Sequence, residues 1–190
     1  MWEVRLGWGL IALAWLWAEL RLTRRGNQDS VLHIASVQGS ATPLWLTLGS
    51  CLSLALVIKN FYWLPIPVSY LPRQALALLL VLLGLTCRFR AIAQLGDAFH
   101  THLCIQVRQP LICDGWYRYL RHPTYSGLLL ALLGIGLALG DVLAAGTLLL
   151  PALSVVVRRI TLEERLLAEH FGVRYRHYQQ RTWRLVPGLY

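Results

Sequence analysis

The sequence predicts an all-α integral membrane protein of about five transmembrane helices, with a C-terminal helical hairpin and a polar loop and tail on the cytosolic side. Three observations carry this. Hydrophobic residues make up 56% of the 190-residue chain and charged ones only 14%, against about a quarter charged in a soluble domain. The apolar residues come in continuous runs. Arginines and aromatic pairs stand where those runs end, as they do at membrane interfaces.

The first run begins near Trp2 or Leu6 and reaches Leu20, ahead of Arg21, Arg24 and Arg25. Glu3, the tryptophans at 2, 8, 15 and 17, and the lack of a small-residue cleavage site mark it as a retained helix rather than a signal peptide. A second run, Leu44 to Phe61, is framed by Trp45 and by Tyr62-Trp63, a length suited to one crossing. Pro65, Pro67 and Pro72 form a turn, and a third run, Gln74 to Cys87, stops at Arg88 and Arg90. The stretch from Ala91 to Pro123 is too polar to cross. Tyr125–Leu139 and Val142–Val157 then form a tight hairpin around Gly140-Asp141, with Asp141 as a turn residue. Gly136 and Gly140 have the spacing of close helix packing, and Pro151 is expected to kink the returning helix. After Arg158-Arg159 comes an amphipathic tail in which Phe171-Gly172 reads as a helix end. Residues 1–90 are thus read as an N-terminal membrane region and 91–190 as the functional region.

Charge sets the orientation. The formal charge is +9, and Lys59 is the only lysine. With the N-terminus outside, the first loop, the central stretch and the tail face the cytosol and hold fifteen of the 18 basic residues. Only Arg5, Lys59 and Arg73 fall outside, in keeping with the positive-inside rule. No basic surface is free of membrane segments, so nucleic acid is not an expected partner. Cys51, Cys87, Cys104 and Cys113 lack ligand spacing, and no metal site is expected.

Nearly every chemically capable side chain lies in two pieces flanking the hairpin, Leu95–Tyr125 and Arg158–Pro187. Pro123 suits the first turn of a helix and places His122 at its N-terminus, where free N–H groups favour an anion. Arg159 and Glu163 are four apart and share a helix face.

The block Leu111-Ile112-x-x-Gly115-x-Tyr117-x-x-x-Arg121-His122-Pro123-x-Tyr125-x-Gly127 resembles a signature of the isoprenylcysteine carboxyl methyltransferase family. Glu163-Glu164-x-x-Leu167-x-x-x-Phe171-Gly172-x-x-Tyr175-x-x-Tyr178 resembles its second signature, and phospholipid methyltransferases share a looser form. The resemblance covers about Gly96 to Pro187. It implies an S-adenosylmethionine-dependent enzyme without a soluble Rossmann fold, its cofactor held under the loop and tail and its acceptor, a lipid-like or prenylated small molecule, entering from the bilayer. By the same likeness Gln109, Leu111, Ile112 and Tyr117 line the cofactor. His122, Pro123 and Tyr125 continue the pocket, Glu163 takes the cofactor ammonium, and Arg159 grips the acceptor carboxylate and is the catalytic residue. Gln109 departs from the histidine of many relatives.

Each residue also has a plainer reading. Glu163 serves as a solvated charge, Arg159 as an interfacial anchor, His122 and Tyr125 as helix-start packing, and Glu164 as a partner for an arginine. Tyr175 and Tyr178 are expected to pack the tail, and His100 and His102 have no assigned role. Competing functions are methylation of a phospholipid amine or a small hydrophobic thiol, a non-catalytic membrane subunit, or a carrier. The carrier is disfavoured because the spans hold almost no mid-membrane charge.

Overall fold

A computed structural model describes residues 2–26, 33–36, 42–99, 104–106 and 110–190. Six α-helices dominate: α1 (Trp2–Gly26), α2 (Thr42–Ile58), α3 (Tyr70–Leu95), α4 (Pro123–Leu139), α5 (Val142–Phe171) and α6 (Val173–Arg181). Among the described residues, three segments are long and apolar enough to cross a membrane: Leu44–Phe61, Tyr70–Leu95 and Val142–Phe171. Their outward faces are bare leucine and valine, with Leu150 70% exposed and Leu46, Leu79, Leu83 and Val57 also open. Apolar surface on that scale is held by lipid, not water. The chain is an integral membrane protein.

Five spans were expected from the sequence. The apolar α4 has 17 residues, about 25 Å of helix, slightly under the roughly 30 Å hydrocarbon core. In α1 the tryptophans, Glu19 and Arg21 dilute an otherwise sufficient length of 25 residues.

The helices lie side by side in the order α2, α5, α4, α3. In α5, Ala144, Leu148, Ala152, Val156 and Ile160 repeat every fourth residue and form a buried stripe against Leu44, Leu48 and Ala55 of α2 and Leu128 and Leu132 of α4. The closest approach is between α3 and α4. A β-carbon on Gly84 would sit 2.5 Å from the Ala131 backbone N, and one on Gly127 would sit 2.5 Å from the Gly84 carbonyl. The small-residue contact expected at Gly136 is present: a β-carbon there would lie 3.2 Å from that of Ala145. Gly140 instead ends α4 in the left-handed region, with φ 80°.

Asp141 caps α5, its Oδ1 accepting from the Ala144 N–H at 3.0 Å and its Oδ2 from the Leu64 N–H at 2.8 Å. This buried turn residue therefore also pins the loop before α3. At the other end α5 does not stop at Arg158-Arg159. It runs on as one helix, about 45 Å long, with Pro151 inside it. Gly172, at φ 55°, closes it, the helix end expected at Phe171-Gly172, and α6 begins at once.

Two short strands were not foreseen. β1 (His33–Ser36) pairs antiparallel with β2 (Cys104–Gln106), Ala35 opposite Ile105. Segments of three and four residues are too short to display a period. The pairing joins the first loop to the central one, so both lie at the same end of the helices.

Candidate active site

The site forms where α5 leaves the apolar layer and meets the start of α4. Arg159 and Glu163 lie one turn apart on α5 and both reach Tyr125 in the first turns of α4. The Arg159 Nε donates to the Tyr125 hydroxyl at 2.7 Å, and that hydroxyl lies 3.2 Å from Glu163 Oε2. A phenol has one proton, so the chain of bonds has a direction: Arg159 donates to Tyr125, and Tyr125 donates to Glu163. Among the described residues, no hydrogen bond reaches the other Glu163 oxygen, Oε1.

Glu164, the next residue, turns the other way and is 4% exposed. Its Oε1 accepts from Arg121 Nε at 2.7 Å and its Oε2 from Arg184 Nε at 3.0 Å. It is the partner of two arginines, the plainer of its sequence readings. Arg121 Nη1 also donates to the carbonyls of Gln179, at 2.8 Å, and Thr182. The backbone continues the seam: the Arg121 N–H donates to the Trp183 carbonyl at 2.7 Å and the His122 N–H to that of Arg184 at 3.1 Å. The Ser126 hydroxyl donates to the Leu185 carbonyl at 2.6 Å. Together these fasten the tail over the loop.

His122 stands at the N-cap position of α4, 3% exposed. Its Nε2 is 3.4 Å from Glu164 Oε1 but too poorly aligned for a hydrogen bond. Its ring centroid is 5.8 Å from that of Tyr125. Pro123 opens the helix, as its fixed φ favours. Tyr117 is buried, and its hydroxyl donates to the Ala91 carbonyl at 3.3 Å, which leaves the ring rather than the hydroxyl for a ligand. The Tyr178 hydroxyl donates to the Tyr117 carbonyl at 2.6 Å, the packing role expected of it. Burial raises the phenols of Tyr117 and Tyr178, so both stay protonated donors at neutral pH.

Tyr175 is 1% exposed and its hydroxyl is the exception. It has no hydrogen-bond partner among the described residues. Burial, then Glu164 and Glu163, raise its phenol as well. A buried polar atom of this kind costs free energy until something pairs with it. Leu111 and Ile112 are half-buried in coil before this loop. Gln109, His100 and His102 lie outside the described residues.

Sequence reasoning thus brought together Tyr125, Arg159, Glu163 and His122. It missed the roles of Arg121 and Arg184. Arg121 was visible inside the first signature, but Arg184 carried no pattern signal. It also missed an ion pair inside the helices. Glu19 of α1 accepts from Arg88 of α3, Oε1 from Nε at 2.7 Å and Oε2 from Nη2 at 3.1 Å.

Comparison with known proteins follows the same half of the chain. Residues 76–169 match the model of the isoprenylcysteine carboxyl methyltransferase (ICMT) family. The protein-S-isoprenylcysteine O-methyltransferase of Schizosaccharomyces pombe is 32% identical over 117 residues, 60% of this chain and 49% of that protein. Protein-S-isoprenylcysteine O-methyltransferase B of Arabidopsis thaliana is 34% identical over 114 residues, 58% of this chain and 57% of its own. Methanethiol S-methyltransferase 1 of Bradyrhizobium diazoefficiens is 38% identical over 73 residues, 37% of this chain and 24% of its own. The chain spans only 49% and 57% of the first two relatives' length. Among solved structures, the eukaryotic intramembrane Ras methyltransferase ICMT has the same fold, with a TM-score of 0.63 over 80% of this chain and 55% of that one, at 23% identity. Residues 76–169, which hold the Tyr125–Arg159–Glu163 cluster, match the isoprenylcysteine carboxyl methyltransferase family, and it is this segment of the chain that belongs to it.

Proposed function

We propose that the protein is a membrane methyltransferase that uses S-adenosylmethionine to methylate the carboxylate of an isoprenylcysteine-type acceptor. The observation that carries this reading is the directed Arg159–Tyr125–Glu163 chain at the open end of the α4–α5 hairpin, opposite its Gly140-Asp141 turn. It sets a cation and an anion one helical turn apart, held by one aromatic hydroxyl.

The residues present fit the cofactor. Glu163 keeps one oxygen open to an ammonium, with which it would form a charge-assisted hydrogen bond. The aromatic rings of Tyr117 and Tyr125 offer faces to a cation, and the Tyr175 hydroxyl, without a partner among the described residues, offers a buried polar contact. When bound, S-adenosylmethionine supplies an electrophilic methyl group on a sulfonium. Leu111, Ile112, His122 and Pro123 would line the rest of the pocket, with Gln109 near the adenosine.

The acceptor side needs little from the protein beyond position. A carboxylate with a pKa near 4 is ionised at neutral pH, so no base is required. Arg159 would hold it in a planar fork, which lysine would not. Its catalytic part is to aim the carboxylate oxygen while the tail, fastened through Glu164, excludes water. The relatives' names point to a prenylcysteine carried on a protein, rather than the free small molecule expected from sequence. The three basic loops would face the cytosol, which places the site there and the N-terminus outside.

A thiol acceptor is the second reading, favoured by the match to a methanethiol S-methyltransferase. It leaves the Arg159 fork without a task. Titration calorimetry of the detergent-purified protein with S-adenosylmethionine tests the shared cofactor. Binding that is lost in Glu163→Ala and kept in Arg159→Ala supports the assignment. No binding by the folded wild type refutes it.

A further inference from the structure

The Glu19–Arg88 pair joins α1 to α3 behind the first turn of α4. Glu19 is 7% exposed and Arg88 6%, and the Trp15 indole also donates to Glu19 Oε1 at 3.0 Å. A buried pair of this kind is no better for stability than well-packed apolar residues, so its cost calls for another reason. The third arm of the guanidinium supplies one. Glu19 engages Nε and Nη2, which leaves Nη1 to donate to the Thr124 carbonyl at 3.2 Å.

Thr124 precedes Tyr125. The neighbouring contacts fall on the same turn of α4: Cys87 Sγ lies 3.7 Å from the Pro123 carbonyl, and a β-carbon on Gly127 would meet the Arg88 N at 2.6 Å. Backbone from Cys87 to Arg88 therefore lies along the stretch that carries the Tyr125 hydroxyl. Close backbone packing and the Nη1 bond to the Thr124 carbonyl thus couple Arg88 to the first turn of α4. We propose that Glu19 and Arg88 are positioning residues of the active site: Glu19 orients Arg88, and Arg88 sets the first turn of α4 and with it Tyr125. The helix α1, which lies before the family-matched segment, is in this way part of the catalytic apparatus. The inference rests on the methyltransferase reading for its kinetic consequence and on geometry alone for its structural one.

The test compares wild type, Glu19→Gln and the swapped Glu19→Arg/Arg88→Glu by hydrogen–deuterium exchange and methyl transfer. In Glu19→Gln, amides at 124–128 should exchange several-fold faster while those at 144–156 do not change. Turnover should fall roughly tenfold or more, the scale expected for a misplaced reacting group. The swapped protein restores opposite charges but presents no donor to the Thr124 carbonyl. It should regain thermal stability without regaining turnover or exchange protection. If Glu19→Gln does not fold, Trp15→Phe removes only the indole donor and should give a smaller change of the same kind. Unchanged exchange at 124–128 in a folded variant overturns the proposal. So does a swapped protein that recovers turnover, which would make the pair a structural tie only. A wild type that transfers no methyl group refutes the methyltransferase reading, and the exchange result still decides the positioning claim.

Discussion

Glu164→Gln tests how the tail is held. The substitution keeps shape and one acceptor but removes the charge between Arg121 and Arg184. The Arg121 and Glu164 side chains are 11% and 5% exposed, so this is a buried pair; Arg184, at 32%, keeps much of its hydration. Stripping the charge from a buried pair costs about 3–5 kcal/mol, and the partly exposed Arg184 adds less than about 1 kcal/mol. Because glutamine retains an acceptor, the lower end applies, about 3 kcal/mol. That is roughly a hundredfold in the equilibrium between docked and released tail. Arg174, Arg176 and Arg181 are exposed in α6 but held in helix, so trypsin cuts there only when the tail opens. Where reclosing outpaces cleavage, the rate follows the open population and should rise about a hundredfold. Mass spectrometry of timed digests reads the sites directly. A cleavage rate equal to wild type would refute the role given to Glu164.

Three further outcomes follow from the geometry. Tyr125→Phe removes the hydroxyl between Arg159 and Glu163; cofactor affinity should weaken less than about tenfold, the worth of one hydrogen bond, while turnover falls further, as calorimetry and methyl-transfer rates would show. Gly127→Leu drives a side chain into the Gly84 carbonyl and the Arg88 backbone, and should destabilise the protein by about 1–3 kcal/mol or more in thermal unfolding in detergent. Asp141→Ala removes the α5 cap and the bond to the Leu64 N–H; it should cost about 1–2 kcal/mol yet leave methyl transfer intact, because it sits at the far end of the hairpin.

Much of this was legible in the sequence because lipid and helix caps impose local rules. Continuous apolar runs announced α2, α3 and the apolar part of α5; Asp141 was read as the turn before it, and Phe171-Gly172 as a helix end. The two signatures flank one hairpin, so they had to meet, and Tyr125 and Glu163 do. The continuation of α5 to Phe171 was less visible. Its apolar character ends near Val157, yet the four-residue stripe that runs through Val156 and Ile160 goes on to Glu164, where arginines replace leucines as partners. Spacing alone could not tell Glu163 from Glu164. Successive helix residues point about 100° apart, and only the fold reveals which one meets Tyr125 and which one Arg121. Nothing local links Glu19 to Arg88, whose pairing depends on which helices lie side by side.

The central claim is most directly tested by incubating purified wild-type protein and Arg159→Ala with labelled S-adenosylmethionine and three acceptors. These are a prenylcysteine acid, phosphatidylethanolamine and a small hydrophobic thiol. The predicted result is a base-labile methyl ester on the prenylcysteine, formed by wild type and lost in Arg159→Ala. Transfer to the thiol or the amine but not to the carboxylate, or undiminished ester formation by Arg159→Ala, would contradict it.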